Sequence, residues 1–314
     1  MHFPGFTDFT SLQNEHLRVQ VRPGQGANLC SLLNRHTGQE WLLPGGEAGP
    51  ALRGEDFGAI APGGFDECFP TIAAGPHPDA PVRWPDHGEL WNRPWSVEPS
   101  AEGLCTRILG RAWPYVFTRQ VGLEGASLHF EYTLENQAER PFHHLWSAHP
   151  LLQVTPGMKV LLPRAVRQVQ VDNASNPALG RPGAWRAWPE LLPGLDCSIV
   201  QPPDAGLAVK LYVQDAPEGP YGILDPRSGG ALTFEWNRSE LPHLGLWLCF
   251  GGWPSDGRPG QLTVALEPCS GMPDRLQDAS DRGLCPVLGA GEKKTWSLRL
   301  RVHDTWEPET GEPS

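Results

Sequence analysis

Ser127–Leu134, SLHFEYTL, decides the fold. Leu128, Phe130, Tyr132 and Leu134 alternate with Ser127, His129, Glu131 and Thr133, the two-residue period of a strand with one face buried and the other in water. His129 falls on the polar face, where solvation accounts for it. The same period recurs outward in both directions. Leu17, Val19 and Val21 alternate with polar residues upstream; Leu207–Val213, Ala231–Trp236, Leu262–Leu266 and Trp296–Val302 read as further strands downstream. Leu244–Phe250, LGLWLCF, is apolar throughout and reads as a strand covered on both faces. Pro273–Asp281 alone has room for a helical turn or two, and no 3.6-residue apolar period persists. With about sixteen short strands at close spacing, the expected fold is all-β: one large antiparallel β-sandwich domain over residues 1–314.

Composition agrees. The 34 prolines and 36 glycines are dispersed without period, as strands joined by turns require. Pro44–Ala61 and Asp172–Pro193 read as long loops, the second carrying Arg181, Trp185, Arg186 and Trp188. A net charge of −11 argues against nucleic acid or an anionic membrane as partner, since both select a basic face. No apolar run is long enough to span a bilayer. MHFPGFTDFTSLQNEH has no basic segment followed by an apolar one, so no secretory leader is expected. The seven cysteines are odd in number and lack a C-x-x-C pair, which points to free thiols and a cytoplasmic location. Thirteen tryptophans stand against four tyrosines, broad flat faces that pack cores and also stack on sugar rings.

Candidate chemistry begins just after the fold-deciding strand. Glu135–Val154, ENQAERPFHHLWSAHPLLQV, holds His143, His144 and His149, of which His149 alone is enclosed by apolar residues on both sides. An imidazole so placed can be tuned near neutral pH, although a hydrogen-bonded core histidine reads the same way. On one continuous strand, His143 and His149 would share a face but stand about 20 Å apart, too far for one ion, so no metal is expected. Glu267, in LEPCSGMPD, ends a strand whose face carries Thr263 and Ala265 in place of leucines, so its carboxylate can look into a cleft. Asp66 and Glu67, in GGFDECFPTI, are adjacent and face opposite ways, so at most one looks into any given cavity. His149 and Glu267 form an acid and base pair, with His87 of DHGELWNRPW as a third polar group.

His87-Gly88 with Pro94-Trp95, His149-Pro150 after an N-x-x-x-x-P turn, and L-E-P with P-D across Leu266–Asp274 occur in that order. With GGFDECFP and the closing GAGEKKTWSLRLRV, this ordered set resembles the aldose 1-epimerase (galactose mutarotase) family and its hexose-phosphate relatives, from about Gly63 to Val302. The resemblance implies a β-supersandwich that opens an aldose ring and recloses it at either face of C1, without cofactor. It implies Glu267 as the base on the anomeric hydroxyl, His149 as the acid at the ring oxygen, and His87 as the group that orients the sugar. The chain departs from the family where Pro62 and Trp91 replace arginines, which disfavours a phosphorylated substrate. Arg93 is a candidate substitute, an ion pair being its other reading. Asp66 and Glu67 are placed to bind hydroxyls, Trp91 and Trp247 to stack on sugar, and Leu151 stands where the family has an aromatic residue. Asp225 is the candidate substrate-binding aspartate, though its turn sequence also explains it. The expected partner is a small aldose, and the chain a monomer or weak homodimer. A sugar-binding or regulatory protein without turnover, a hexose-6-phosphate mutarotase, and a glycoside hydrolase pairing Glu267 with Asp66 or Glu67 are the alternatives.

Overall fold

The computed structural model describes residues 9–45, 57–59, 63–255 and 257–307. Pro62 and most of the Pro44–Ala61 stretch lie outside them. Two antiparallel sheets form the body. The larger runs, in spatial order, Thr10–Gln13, Leu17–Arg22, Asn28–Asn34, Gly64–Cys68, Ser147–Gln153, Leu262–Cys269, His243–Phe250, Leu207–Val213, Gln168–Ala174 and Trp185–Ala187. The second runs Lys159–Leu161, Tyr221–Leu224, Ala231–Trp236, Lys293–His303, Ser127–Asn136, Tyr115–Glu124, Gly103–Leu109 and Ser96–Ser100.

Alternation builds the interface between them. Leu128, Phe130, Tyr132 and Leu134 are all buried, with Phe130 opposite Leu298 and Tyr132 opposite Trp296 in the neighbouring strand. Phe130 meets Phe65 of the larger sheet at 5.1 Å between ring centroids, and Tyr132 meets Trp146 at 4.7 Å. Each such buried ring contributes roughly 1.5–3 kcal/mol from the water it sheds.

The larger sheet has a second covered face. Leu246 pairs with Leu266 and Leu248 with Val264 on the interior side, while Gly245 pairs with Glu267 and Trp247 with Ala265 on the other. LGLWLCF is apolar throughout because one side meets the core and the other floors a cleft.

Several local expectations need correction. Asp172–Pro193 is not one loop: Trp185–Ala187 pairs onto the edge of the larger sheet, and Glu190–Leu192 pairs with Leu195–Asp196. The strand holding Glu267 continues to Cys269, since Pro268 keeps it extended. His143 and His149 do not share a strand; Phe142–His143 pairs with Val287–Leu288, and the larger sheet is rejoined at Ser147. The helix Leu276–Asp281 falls where a helical turn was expected. All seven cysteines are free. No described helix is long and apolar enough to cross a membrane.

Candidate active site

Cross-strand register gathers residues far apart in the chain. Asp66 lies opposite His149. The next strand pairs Ser147 with Cys269 and Leu152 with Val264, a register that sets His149 level with Glu267. From Glu267 the row continues through Gly245, Tyr212 and Gln170 to Trp185 at the sheet edge. One step along, a second row runs Ala265, Trp247, Lys210 and Asn173. Directly paired residues project to the same side, so both rows face away from the core.

Over these rows lies a hollow of about 220 Å³. His149, Glu267, Lys210 and Trp247 rise from the sheet, and Phe57 and Trp253 add aromatic walls. His87 and Asp86 enter from a tight turn. His87 has a left-handed φ of 61° and Gly88 follows at 71°. A Cβ at Gly88 would stand 1.9 Å from the Phe69 carbonyl oxygen, so glycine is required there. The His87 amide donates to the Ile72 carbonyl at 2.7 Å, fixing the turn. The His87 ring stacks on Phe57 at 3.8 Å and meets His149 edge-on at 4.7 Å.

The two imidazoles differ in how their surroundings treat a positive charge. Burial works against an imidazolium at both. At His87 it is outweighed by Asp86, whose carboxylate lies 3.1 Å from Nδ1, and the pKa is raised. At His149 burial is reinforced by the nearby charges of His87 and Lys210, and the pKa falls well below the usual imidazole range. The surroundings therefore favour the charged form at His87 and the neutral form at His149.

Glu267 is fully buried, and burial raises its pKa against the opposing pull of the Lys210 ammonium. Lys210 Nζ donates to Glu267 Oε2 and lies 3.8 Å from Asp274 Oδ1. Burial opposes the charge on Lys210, but Asp274 and Glu267 hold its pKa above the usual range. Gly245 makes room for this pair: a Cβ there would lie 3.1 Å from Nζ and 3.2 Å from Oε2. Glu267 Oε1 is buried without a hydrogen-bond partner among the described residues, an acceptor free for a hydroxyl.

The structure brings together His149, Glu267, His87 and Trp247 of the residues singled out in the sequence. Asp66 is on the His149 side of its strand but accepts a hydrogen bond from Asn28 Nδ2 at 2.7 Å, and burial pushes its pKa up to about 7. The remaining candidates are placed elsewhere. Glu67 points between the sheets, where Arg119 Nη1 bonds it at 2.6 Å and the Tyr132 hydroxyl donates at 3.2 Å. Trp91 is buried beside Phe57 and donates its indole N–H to the Asp86 carbonyl at 3.0 Å, so it supports the wall without facing the hollow. Arg93 pairs with Glu89 at 3.4 Å and donates to the Leu109 carbonyl. Asp225 organises its own turn, accepting from the Arg227 amide at 3.0 Å.

Sequence reasoning missed Lys210, Asp86, Asp274 and Asn173. Lys210 had a usable signal: a lone cation in the strand LAVKLYV, every residue of which is buried. A buried ammonium demands a carboxylate partner. Cys68, His87 and His149 place donor atoms within 4.8 Å of one another, close enough to suggest a metal. Binding would need a thiolate and a neutral imidazole, whereas burial holds the Cys68 thiol well above its usual range and Asp86 favours protonated His87. A larger hollow of about 850 Å³ on the second sheet is bordered by Glu131, Glu235 and Arg299 and by a His129–Glu124 pair 3.3 Å apart, whose carboxylate is exposed to solvent where Glu267 is buried.

The chain adopts the galactose mutarotase-like fold. A galactose mutarotase related enzyme from Lactobacillus acidophilus superposes with a TM-score of 0.69 at 13% identity, covering 96% of this chain and 100% of that one. A galactose mutarotase-like protein from Lactobacillus casei gives 0.65 at 16% identity, covering 94% and 100%. The GalM/aldose epimerase homologue from C. elegans gives 0.69 at 13% identity, covering 95% and 99%. No protein-family model and no curated protein sequence matches the chain.

Proposed function

We propose that this protein is an aldose 1-epimerase acting on a free, unphosphorylated sugar. The observation that carries the reading is the convergence of Glu267 and the His87–His149 pair on one sugar-sized hollow. Interconverting anomers moves only protons: one leaves the anomeric hydroxyl, another arrives at the ring oxygen, and the C1–O5 bond opens. Glu267 takes the first. The imidazole pair supplies the second, Asp86 favouring the charged form at His87. Rotation about C1–C2 then presents the other face of the aldehyde, and the reverse transfers reclose the ring. Glu267 and the imidazole pair end as they began, so no net oxidation or reduction occurs. Trp247 and Trp253 offer faces to the sugar ring, while Asn173 and Asp274 offer polar groups to its hydroxyls.

A neutral sugar ring over Glu267 fits the cations of this hollow. Besides histidine, Lys210 is the one cationic residue among the described residues lining the hollow, and Glu267 and Asp274 already hold it. Polarimetry on freshly dissolved α-glucose and α-galactose tests the proposal. Faster decay of rotation with the wild type, abolished in Glu267→Gln, is expected. Sugar binding without faster decay would indicate a sugar-binding protein instead.

A further inference from the structure

The hollow does not end at the acid–base groups. Ala73, Asn173 and Asp274 line both it and a second hollow of about 350 Å³, so the two adjoin. Alone, the first at about 220 Å³ is smaller than the roughly 300–1,000 Å³ of most small-molecule sites; with the second attached it falls within that range. The second hollow is polar, with the amide of Gln170, the carboxyls of Asp172 and Asp278 and the guanidinium groups of Arg275 and Arg282. Burial and the neighbouring Asp274 push Asp172 up to about 7, so its carboxyl can donate as well as accept near neutral pH.

A separate observation lies at the far rim. Pro182 and Gly183 line the second hollow and lead directly into the edge strand that carries Trp185. Trp185 pairs with Gln170, so it stands on the same side of the sheet as His149 and Glu267 and closes their row. It is 42% exposed, while most large apolar residues of the chain are buried. A flat aromatic face beyond a pocket of mixed hydrogen-bonding groups is what a pyranose ring recognises: its C–H face stacks and its hydroxyls take the polar edge.

We propose that the second hollow is a subsite for the adjoining glycosyl residue of a reducing disaccharide or longer oligosaccharide, with Trp185 as its stacking platform. The inference rests on the mutarotase reading, which places the reducing-end ring over Glu267. Ring opening requires a free anomeric hydroxyl, so the second residue must be joined through another hydroxyl of the reducing-end ring. Such an extension leaves the first hollow past Asn173 and Asp274.

The test compares kcat/KM for mutarotation of glucose, maltose, cellobiose, lactose and glucose 6-phosphate in the wild type, Trp185→Ala and Gln170→Ala. At least one disaccharide should exceed glucose in the wild type. Trp185→Ala should lower the disaccharide value about three- to tenfold and leave glucose unchanged. Gln170→Ala should act in the same direction. Turnover of glucose with no gain on any disaccharide and no effect of either variant overturns the subsite but leaves the mutarotase standing. Preference for the phosphorylated hexose over every disaccharide also overturns it. Turnover of none of the sugars overturns both.

Discussion

Glu67 and Glu267 stand on strands of the larger sheet, both buried and both paired with a cation, Arg119 and Lys210 respectively. Burial raises both carboxyl pKa values. Each has one oxygen bonded and the other without a hydrogen-bond partner among the described residues. The difference is direction. Glu67 projects between the sheets, where Tyr132 and Arg119 close around it; Glu267 projects onto the hollow beside His149. Burial, charge pairing and a perturbed pKa thus fail to distinguish a carboxylate that holds a sandwich together from one that faces the hollow. The face of the strand does.

Substituting each in turn separates the two roles. Glu267→Gln should cut mutarotation roughly 10²- to 10⁴-fold, the range for loss of a positioned base, as read by polarimetry or anomer-exchange NMR. Glu67→Gln should instead leave the Arg119 guanidinium buried without its counter-charge, at a cost of roughly 3–5 kcal/mol in unfolding free energy measured with urea. Where it is folded, its turnover should match the wild type. A Glu67→Gln protein that keeps its stability but loses turnover would break the comparison.

The charges around Glu267 sharpen it further, because on the proposed mechanism each should set one limb of the pH profile. The Lys210 ammonium favours the Glu267 carboxylate. In Lys210→Met the glutamate pKa rises further, its basic form is lost at higher pH, and the acid limb of kcat/KM should move up, by about a unit or more for a charge in hydrogen-bond contact. Asp86 acts on the other limb by raising His87. In Asp86→Asn the imidazolium loses its proton at lower pH, so the basic limb should move down by a smaller amount. An unmoved acid limb in Lys210→Met would mean that Glu267 is not the group titrating there.

The same distinction governs how much of the molecule is legible in its sequence. Strand alternation announces itself in a single segment, so SLHFEYTL and its counterparts reveal the all-β class directly. Asp66 and Glu67 are legible as a pair facing opposite ways, but not which of them faces inward, because GFDEC is buried along its whole length. His149, Glu267 and His87 can be picked out by their motifs. Their meeting depends on cross-strand register, a property of the pairing of distant strands that no local window contains. Lys210 escapes notice because its neighbours are apolar, although a cation buried on both sides is itself a sign of a partner. Trp91 and Arg93 are misplaced for a different reason: a turn with a left-handed residue at His87 redirects the chain beyond it, and strand alternation carries no information about such a turn.

Asp225 supplies the smallest effect and the cleanest control on direction. Its carboxylate accepts from the Arg227 amide at 3.0 Å and the Ser228 hydroxyl at 3.2 Å. The Gly229 amide closes the same turn on the Asp225 carbonyl. These bonds lower its pKa despite the opposing effect of burial, so it too is a perturbed acid. Its side chain serves the turn between Tyr221–Leu224 and Ala231–Trp236, in the second sheet, while the hollow is floored by the first. Asp225→Ala should cost about 1 kcal/mol of stability, the usual worth of a side-chain bond to a turn, and leave KM and kcat for the sugar unchanged. A raised KM in a protein of nearly wild-type stability would place this aspartate in contact with substrate, and direction on the strand would then no longer separate structural carboxylates from chemical ones.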